Sequence, residues 1–355
     1  MKRLRTGYTT GACAAAAAKA AARFLAEKER ATEVEISLPE GTRVTFPVEY
    51  VRIGRNGTQA AVRKDAGDDP DVTNGALLVV KLSPIPPYTV IFAAGEGVGT
   101  VTKPGLSVMP GEAAVNPVPR RMIENAVREV TLQGLLVTVS IPGGRKMAEK
   151  TFNPRLGING GLSVLGTTGI VRPYSVSAVH ASLKCSLDVA AACGIEAPIL
   201  VPGNIGRRAA QKNFHTKDQQ IIEVGNEWGF IIDSVLSYRF GKLLVAGHPG
   251  KLVKLAAGHW DTHSARSDRA VTFVARRAEK LFGRSFSGEV TVEGIFASLP
   301  AHEIGTLGNI LAGEVQKAVA ARMAEHRGTI AAPAIALTDM QGRILGSAGD
   351  IAPWR

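Results

Sequence analysis

Ile199-Leu-Val-Pro-Gly-Asn-Ile-Gly-Arg-Arg208 decides the fold. Three apolar residues make a short buried strand, Pro and Gly end it, and a helix-forming segment follows. The same pattern recurs around it. Leu162–Leu165, Gln220–Val224 and Leu243–Ala246 are apolar runs of strand length. They lead into Gly166-Thr-Thr-Gly-Ile170, Gly225-Asn-Glu-Trp-Gly229 and Gly247-His-Pro-Gly-Lys251, each followed by a helical segment. Four such repeats, spaced ~25–35 residues apart, predict a parallel, doubly wound sheet. In that architecture the loops after the strands collect at the carboxyl ends, where ligands bind. Further on, a helix is expected over Ile304–His326, then an apolar segment, Ile330–Leu337, and a turn at Asp339-Met-Gln-Gly342.

The first half has another rhythm. Val34–Leu38, Val44–Tyr50, Gln59–Val62, Leu77–Leu82, Val90–Ala93 and Leu136–Ser140 read as strands, Arg120–Gln133 as a helix, and the proline-rich Ser83–Pro87 as a loop. The expected fold class is therefore α/β in two domains. Residues 1–171 form an α+β domain and residues 172–355 a Rossmann-like α/β domain, with the strand at Leu162–Leu165 assignable to the second. A length of 355 residues suits two cores better than one.

Near the start, Leu4-Arg-Thr-Gly-Tyr-Thr-Thr-Gly11 leads into Cys13-Ala-Ala-Ala-Ala-Ala-Lys19. Thr9 or Thr10 is a natural N-cap. The alanine face admits a backbone or a flat ligand at close range, and the helix dipole favours an anion above Gly7–Gly11. Lys19 and Arg23 interrupt the apolar run, so it is not a signal peptide. No window of roughly 18 uncharged apolar residues is present to span a membrane.

The formal charge is +11. Residues 1–171 carry 21 basic and 15 acidic side chains, and residues 172–355 carry 21 and 16, so the excess is spread evenly. Basic residues are not interleaved with aromatics, which argues against a nucleic-acid groove. An even positive excess suits a polyanionic small molecule. Cys13, Cys185 and Cys193 form no CxxC pair and read as small core residues in a reduced, cytoplasmic protein.

No loop fits the P-loop or the dinucleotide fingerprint in strand–helix context. Gly95-Glu-Gly-Val-Gly99 reads as a close-approach turn. Lys64-Asp-Ala-Gly-Asp-Asp-Pro-Asp71 is acidic but misses the EF-hand spacing, leaving Asp65 or Asp68 as a proton or ammonium acceptor. His259-Trp-Asp-Thr-His263 lacks a third ligand nearby, so a ligand-bonding loop is expected there and no protein-bound metal.

Nine blocks in order carry a resemblance that spans nearly the whole chain. They are Arg5-Thr-Gly-Tyr-Thr-Thr-Gly-Ala-Cys-Ala-Ala-Ala16, Lys64–Thr73, Gly97-Val-Gly-Thr-Val-Thr-Lys-Pro-Gly-Leu106, Asn116-Pro-Val-Pro-Arg120 and Asn153-Pro-Arg-Leu-Gly157, then Leu165–Ile170, Pro202–Gly206, Gly247–Lys254 and Thr262–Ser264. Together they resemble the CbiD family, the cobalt-precorrin-5B C1-methyltransferases. The resemblance implies methylation of C1 to give cobalt-precorrin-6A in anaerobic cobalamin synthesis, with S-adenosylmethionine as donor. It also implies a two-domain α/β fold unlike the usual methyltransferase sheet, and a cobalt that arrives inside the corrinoid substrate. Two departures from the family pattern stand out: Asn74 where a His is expected, and Gly225-Asn-Glu-Trp where Ser-Asn-Phe is more usual. A non-catalytic corrinoid or polyanion carrier is the alternative, and self-association into a homo-oligomer is left open.

Site roles follow from the chemistry of the residues. Asp65, Thr10 and His263 are the expected catalytic groups. Donor contacts are expected from Gly166, Thr167, Thr168, Gly169, Gly203, Asn204, Gly206, Gly247, His248 and Gly250. Arg5, Thr9, Thr10, Gly11, Lys103, Arg120 and Lys251 are expected to bind the substrate, at least two of the basic residues Arg5, Lys103, Arg120 and Lys251 pairing with its carboxylates across a cleft between the domains.

Overall fold

Alanine has the highest helix propensity and the smallest side chain, and here the two properties put a helix inside a domain. The computed structural model describes residues 4–54, 56–86, 88–326 and 332–355. It divides into two units, Met1–Val176 and Ser177–Arg355. The first contains β1 (Gly7–Tyr8), α1 (Thr10–Glu27), β2 (Glu33–Ser37), β3 (Arg43–Pro47), β4 (Tyr50–Gly54), β5 (Gly57–Arg63) and β6 (Leu77–Ile85). It continues with β7 (Val90–Ala94), β8 (Thr100–Val101), α2 (Pro117–Arg128), β9 (Gly134–Ser140), α3 (Gly144–Ala148), β10 (Ile158–Asn159) and β11 (Ile170–Val171).

The main sheet runs β4-β5-β6-β9-β7, antiparallel except for β7 beside β9. Helix α1 packs on β5 and β6 and against α2. Ala12, Ala14–Ala18 and Ala20–Ala22 have no exposed surface at all. A helix apolar on every side belongs in a core, not on a surface. Gly11 allows the closest approach: a Cβ there would lie 2.8 Å from Pro119 and 2.9 Å from Met122 of α2. Thr58 of β5 donates its hydroxyl to the Ala21 carbonyl at 2.9 Å. The alanine face therefore receives protein backbone, and the expected flat ligand has no room against it.

Three further expectations change. Val44–Tyr50 is not one strand but parts of two, β3 and β4. Ser83–Ile85 is not loop but the end of β6, paired with Leu136, Leu135 and Gly134 of β9. The β5 pairing stops at Leu82, so Pro84 lies where one neighbour has already ended and a missing N–H is tolerated; Pro87 falls outside the described residues. Leu162–Leu165 is not a strand of the parallel sheet: Leu162 and Val164 make isolated bridges to Val98 and Val115 within the first unit. The Gly95–Gly99 turn is a close approach as read, since a Cβ on Gly97, at φ +71°, would meet the Ile141 carbonyl at 2.0 Å.

The second unit contains α4 (Val176–Ala192), β12 (Ile199–Val201), α5 (Asn204–Asn213), β13 (Ile221–Glu223), α6 (Trp228–Val235), β14 (Leu244–Gly247) and α7 (Pro249–Ala256). After these come α8 (Ala270–Phe282), α9 (Val292–Ala297), α10 (Ala301–Glu325), β15 (Ala334–Thr338) and β16 (Ile344–Ala348). Of the predicted apolar segment 330–337, Ile330 and Ala331 lie outside the described residues. The strand order is β13-β12-β14-β15-β16, parallel but for the edge strand β16. Alternate strand residues enter two cores: Leu200, Val245 and Ile335 join the helices α6, α7 and α10, while Ile199, Leu244 and Ala336 join α5 and Trp354. Burial on both faces explains why these strands read as unbroken apolar runs.

Candidate functional site

The strand order reverses between β12 and β14, because β12 leads to β13 on one side and β14 to β15 on the other. In an open parallel sheet the crevice outside the carboxyl ends at such a point is the ligand position. The loops Pro202–Gly206 and Gly247–Lys251 flank it. They are in contact: a Cβ on Gly247 would stand 2.6 Å from Pro202. The loop after β13 joins them, with the Gly225 amide donating to the Pro202 carbonyl at 3.2 Å.

Each glycine has a distinct task here. Gly203 is extended at φ 162°, and a Cβ added to it would meet nothing within 4 Å. Its carbonyl accepts from the Arg207 amide at 2.9 Å, but the side a Cβ would take is open to a ligand, and the neighbouring Asn204 is exposed. Gly206 is buried, and a Cβ there would press on Pro202 at 2.9 Å and Val201 at 3.1 Å. It packs α5 on β12, so its expected donor contact is replaced by a packing role. His248 caps α7, its Nδ1 accepting from the Gly250 amide at 3.0 Å while Nε2 meets Glu293 Oε2 at 2.8 Å. Nδ1 is thus the acceptor and Nε2 carries the proton.

Lys251 and Lys254 follow on α7. Lys251 Nζ donates to Asn226 Oδ1 at 2.7 Å and to the Thr262 carbonyl at 3.3 Å. Lys254, buried to 8% exposure, donates to the same carbonyl at 3.2 Å and to Ser267 Oγ at 2.7 Å. Neither ammonium has a carboxylate partner among the described residues. Burial lowers the Lys251 pKa, the charge of Lys254 lowers it further, and Asp261 opposes both. His180 pairs with Glu227 Oε2 at 2.9 Å and stacks on Phe230, with ring centroids 3.8 Å apart. His263 is exposed: its Nδ1 accepts from the Ala265 amide at 3.2 Å, and its own amide donates to Asp261. Its Nδ1 is thus engaged within its own loop. His259 turns to Asp268, and among the described residues no group of three or more His, Cys, Asp or Glu is placed to hold a metal.

In the first unit the expected site residues form a second assembly. Thr9 is the N-cap of α1, its Oγ1 accepting from the Ala12 amide at 3.2 Å. The Gly11 amide donates to the Leu165 carbonyl at 3.0 Å, and the Thr9 amide to the Gly169 carbonyl at 2.9 Å. Thr10 exchanges hydrogen bonds with Leu165. All three residues are buried. The end of α1 is therefore closed by the chain itself, not left open for an anion.

Gly166–Gly169 closes it. This loop follows no strand of the parallel sheet, which removes the reason for placing the donor on Gly166, Thr167, Thr168 and Gly169. A Cβ on Gly166, at φ +128°, would meet Thr9 Oγ1 at 2.3 Å. Thr167 is exposed, Thr168 bonds only within its own turn, and a Cβ on Gly169 would strike Leu38.

Asp65 is unsuited to proton abstraction. Both its oxygens accept from the Arg5 guanidinium, and Oδ1 also accepts from the Gly67 amide at 2.9 Å. The Arg5 hydrogen bond first, then that amide, hold its carboxyl below the usual range, which makes it a weaker base. Arg5 is correspondingly neutralised. Arg120 is a clamp within the first unit, bonded to Glu112 Oε2 at 2.7 Å and to the Val115 carbonyl at 2.8 Å. Lys103 donates to the Arg155 carbonyl at 3.3 Å and is packed over Gly157. Lys251 combines partial burial with neutral hydrogen-bond acceptors, Asn226 Oδ1 and the Thr262 carbonyl. Asn226, Lys254 and Thr262 were missed as a group, although Gly247–Lys254 and Thr262–Ser264 both stood among the quoted blocks.

Comparison with known proteins bears on this geometry. The CbiD family model matches residues 1–173. Curated relatives carry the name cobalt-precorrin-5B C(1)-methyltransferase. The protein from Syntrophotalea carbinolica is 52% identical over 355 residues, covering 100% of both chains. The Brucella anthropi protein is 40% identical over 96% of this chain and 95% of its own. The Thermoanaerobacter protein is 45% identical over 77% and 75%. A crystal structure of a cobalamin biosynthesis protein from Archaeoglobus fulgidus is 34% identical, covers 74% of this chain and 83% of its own, and aligns with a TM-score of 0.40.

Proposed function

The chain belongs to the CbiD family, and on that premise we propose that it is a methyltransferase acting at C1 of cobalt-precorrin-5B in cobalamin synthesis. Identity over its entire length to a curated enzyme of that name carries the reading. It also sets aside a non-catalytic carrier. The cobalt is part of the substrate.

We place the methyl donor, S-adenosylmethionine, at the carboxyl edge of the second unit's sheet. Three features support this: the reversal of strand order, the open side of Gly203 and a Lys251 with no carboxylate partner among the described residues. When bound, the donor supplies an electrophilic methyl on a sulfonium, and that methyl moves to an electron-rich ring carbon as the carbon–sulfur bond breaks. The nucleophile belongs to the substrate, so no activated Ser or Cys is needed. Gly203 lets the donor approach the backbone, and Lys251 meets a carboxylate. Glu293 holds the His248 ring at the mouth of α7, fixing the loop in place. Orientation of this kind is worth up to ~7–11 kcal/mol of barrier.

The test is single-turnover incubation of the purified chain with cobalt-precorrin-5B and methyl-labelled S-adenosylmethionine. A labelled methyl at C1 in the product is expected. Donor binding without transfer would leave only a carrier.

A further inference from the structure

Lys251 and Lys254 stand one turn apart on α7 and donate to one carbonyl oxygen, that of Thr262. That shared acceptor holds two cations within a few ångström of each other, where like charges repel. Neighbouring acidic groups are already engaged. Asp261 is paired with Arg266 at 2.7 Å, and Glu227 with His180. The local groups that receive the lysines are neutral: Asn226 Oδ1, the Thr262 carbonyl and Ser267 Oγ. Asn226 Oδ1 also accepts from the Thr262 hydroxyl at 3.3 Å, which ties the side-chain amide to both the lysine and the Thr262 loop.

We propose that Lys251, backed by Lys254 and flanked by the Asn226 side-chain amide, forms a carboxylate-binding subsite at the carboxyl edge of the second unit's sheet. Lys251, the more exposed of the two, makes the contact. Lys254 acts through it as a positioning residue that adds charge and anchors the Thr262 loop. The proposal deepens the function given above and rests on it for the identity of the ligands. Two carboxylates are then available: the amino-acid end of the methyl donor, and the acid side chains of the tetrapyrrole.

The test is titration calorimetry on the full chain and on Lys251→Met, Lys251→Arg and Lys254→Met. Three probes separate the sources: S-adenosylhomocysteine, 5′-methylthioadenosine, which lacks the amino-acid end, and uroporphyrin, a tetrapyrrole octacarboxylate. Lys251→Met should weaken S-adenosylhomocysteine at least tenfold and change methylthioadenosine less than twofold, with Lys251→Arg recovering much of the loss. A tenfold loss confined to uroporphyrin supports the subsite with the macrocycle as its source. Unchanged affinities for both acids in a folded Lys251→Met overturn the proposal and make the lysines a structural staple. So does a wild type that binds neither acid. Where Lys254→Met does not fold, Lys251→Met decides alone. Acid binding that depends on Lys251 without any methyl transfer would overturn the function and leave the subsite standing.

Discussion

The Thr10 hydroxyl and the Leu165 backbone satisfy each other across 155 residues of sequence: Oγ1 accepts from the Leu165 amide at 2.9 Å and donates to its carbonyl at 3.2 Å. This closes the helix that the Thr9 cap begins. Thr10→Ala should cost about 1–3 kcal/mol, because the Leu165 amide loses its partner in a half-buried place. Thr10→Ser should recover most of it. Urea unfolding gives the cost, and the methyl-transfer rate of the folded variant should stay within about twofold of wild type. A larger rate loss would put substrate on the hydroxyl after all.

Lys64 is buried, its side chain 1% exposed, and Asp71 Oδ2 lies 2.7 Å from its Nζ. Burial pushes the Asp71 pKa up, but hydrogen bonds from Lys64 and Thr73 outweigh it and leave it below the ordinary value. A depressed carboxylate pKa contributes stability above the unfolded value of about 3.9, and that contribution disappears as pH falls through the folded one. Unfolding measured across acid pH should show this loss below about pH 4. Asp71→Asn should flatten that limb and cost about 3 kcal/mol or more at pH 7, since Lys64 stays buried without its counter-charge. A variant with the wild-type acid limb would assign the pH dependence to other carboxylates.

Gly203 and Gly206 should separate binding from folding. Gly203→Val meets open space, so unfolding should change by less than about 0.5 kcal/mol. Its affinity for S-adenosylhomocysteine should fall more than about tenfold if that open side is a contact surface. Gly206→Val should instead lose about 1–3 kcal/mol through overpacking on Pro202 and Val201. Wild-type affinity in Gly203→Val would move the donor elsewhere.

Thiol chemistry offers a direct check on α1. Burial pushes the Cys13 pKa up to about 12 and Cys185 to about 11. The thiolate is the reactive form, so neither should alkylate with iodoacetamide at pH 8 within an hour in native protein. Peptide mapping would read this out, and rapid labelling of Cys13 would mean that α1 opens to solvent.

The second unit was legible because its signals are local. An apolar strand, a glycine and a helix lie within one stretch of chain, and β12, β13 and β14 fall where that rhythm puts them. Leu162–Leu165 shows the limit. It is apolar and ends at a glycine, yet its partners, Val98 and Val115, are distant in sequence and invisible to any window. The candidate site divides in the same way. Gly203 and Lys251 stand in the loops after β12 and β14, where the local rhythm puts them, whereas Arg5, Asp65 and Arg120 looked like free charges because an ion pair is a fact of three dimensions. Lys254 was passed over because its helix gives no sign that its acceptors, the Thr262 carbonyl and Ser267 Oγ, would both be neutral.

Helix α1 leaves the ribosome well before the elements that enclose it. At ~5–20 residues per second, α2 appears some 5–20 s after the helix is complete, and Leu165 later still. Over that interval the segment must survive alone, and alanine suits the wait. It forms helix readily by itself, while its bare methyl groups offer a passing chaperone or a neighbouring nascent chain little to hold. A leucine-rich helix in the same place would be stickier during synthesis and too thick to be enclosed afterwards. The composition that fits α1 to its place in the finished domain also protects it during synthesis.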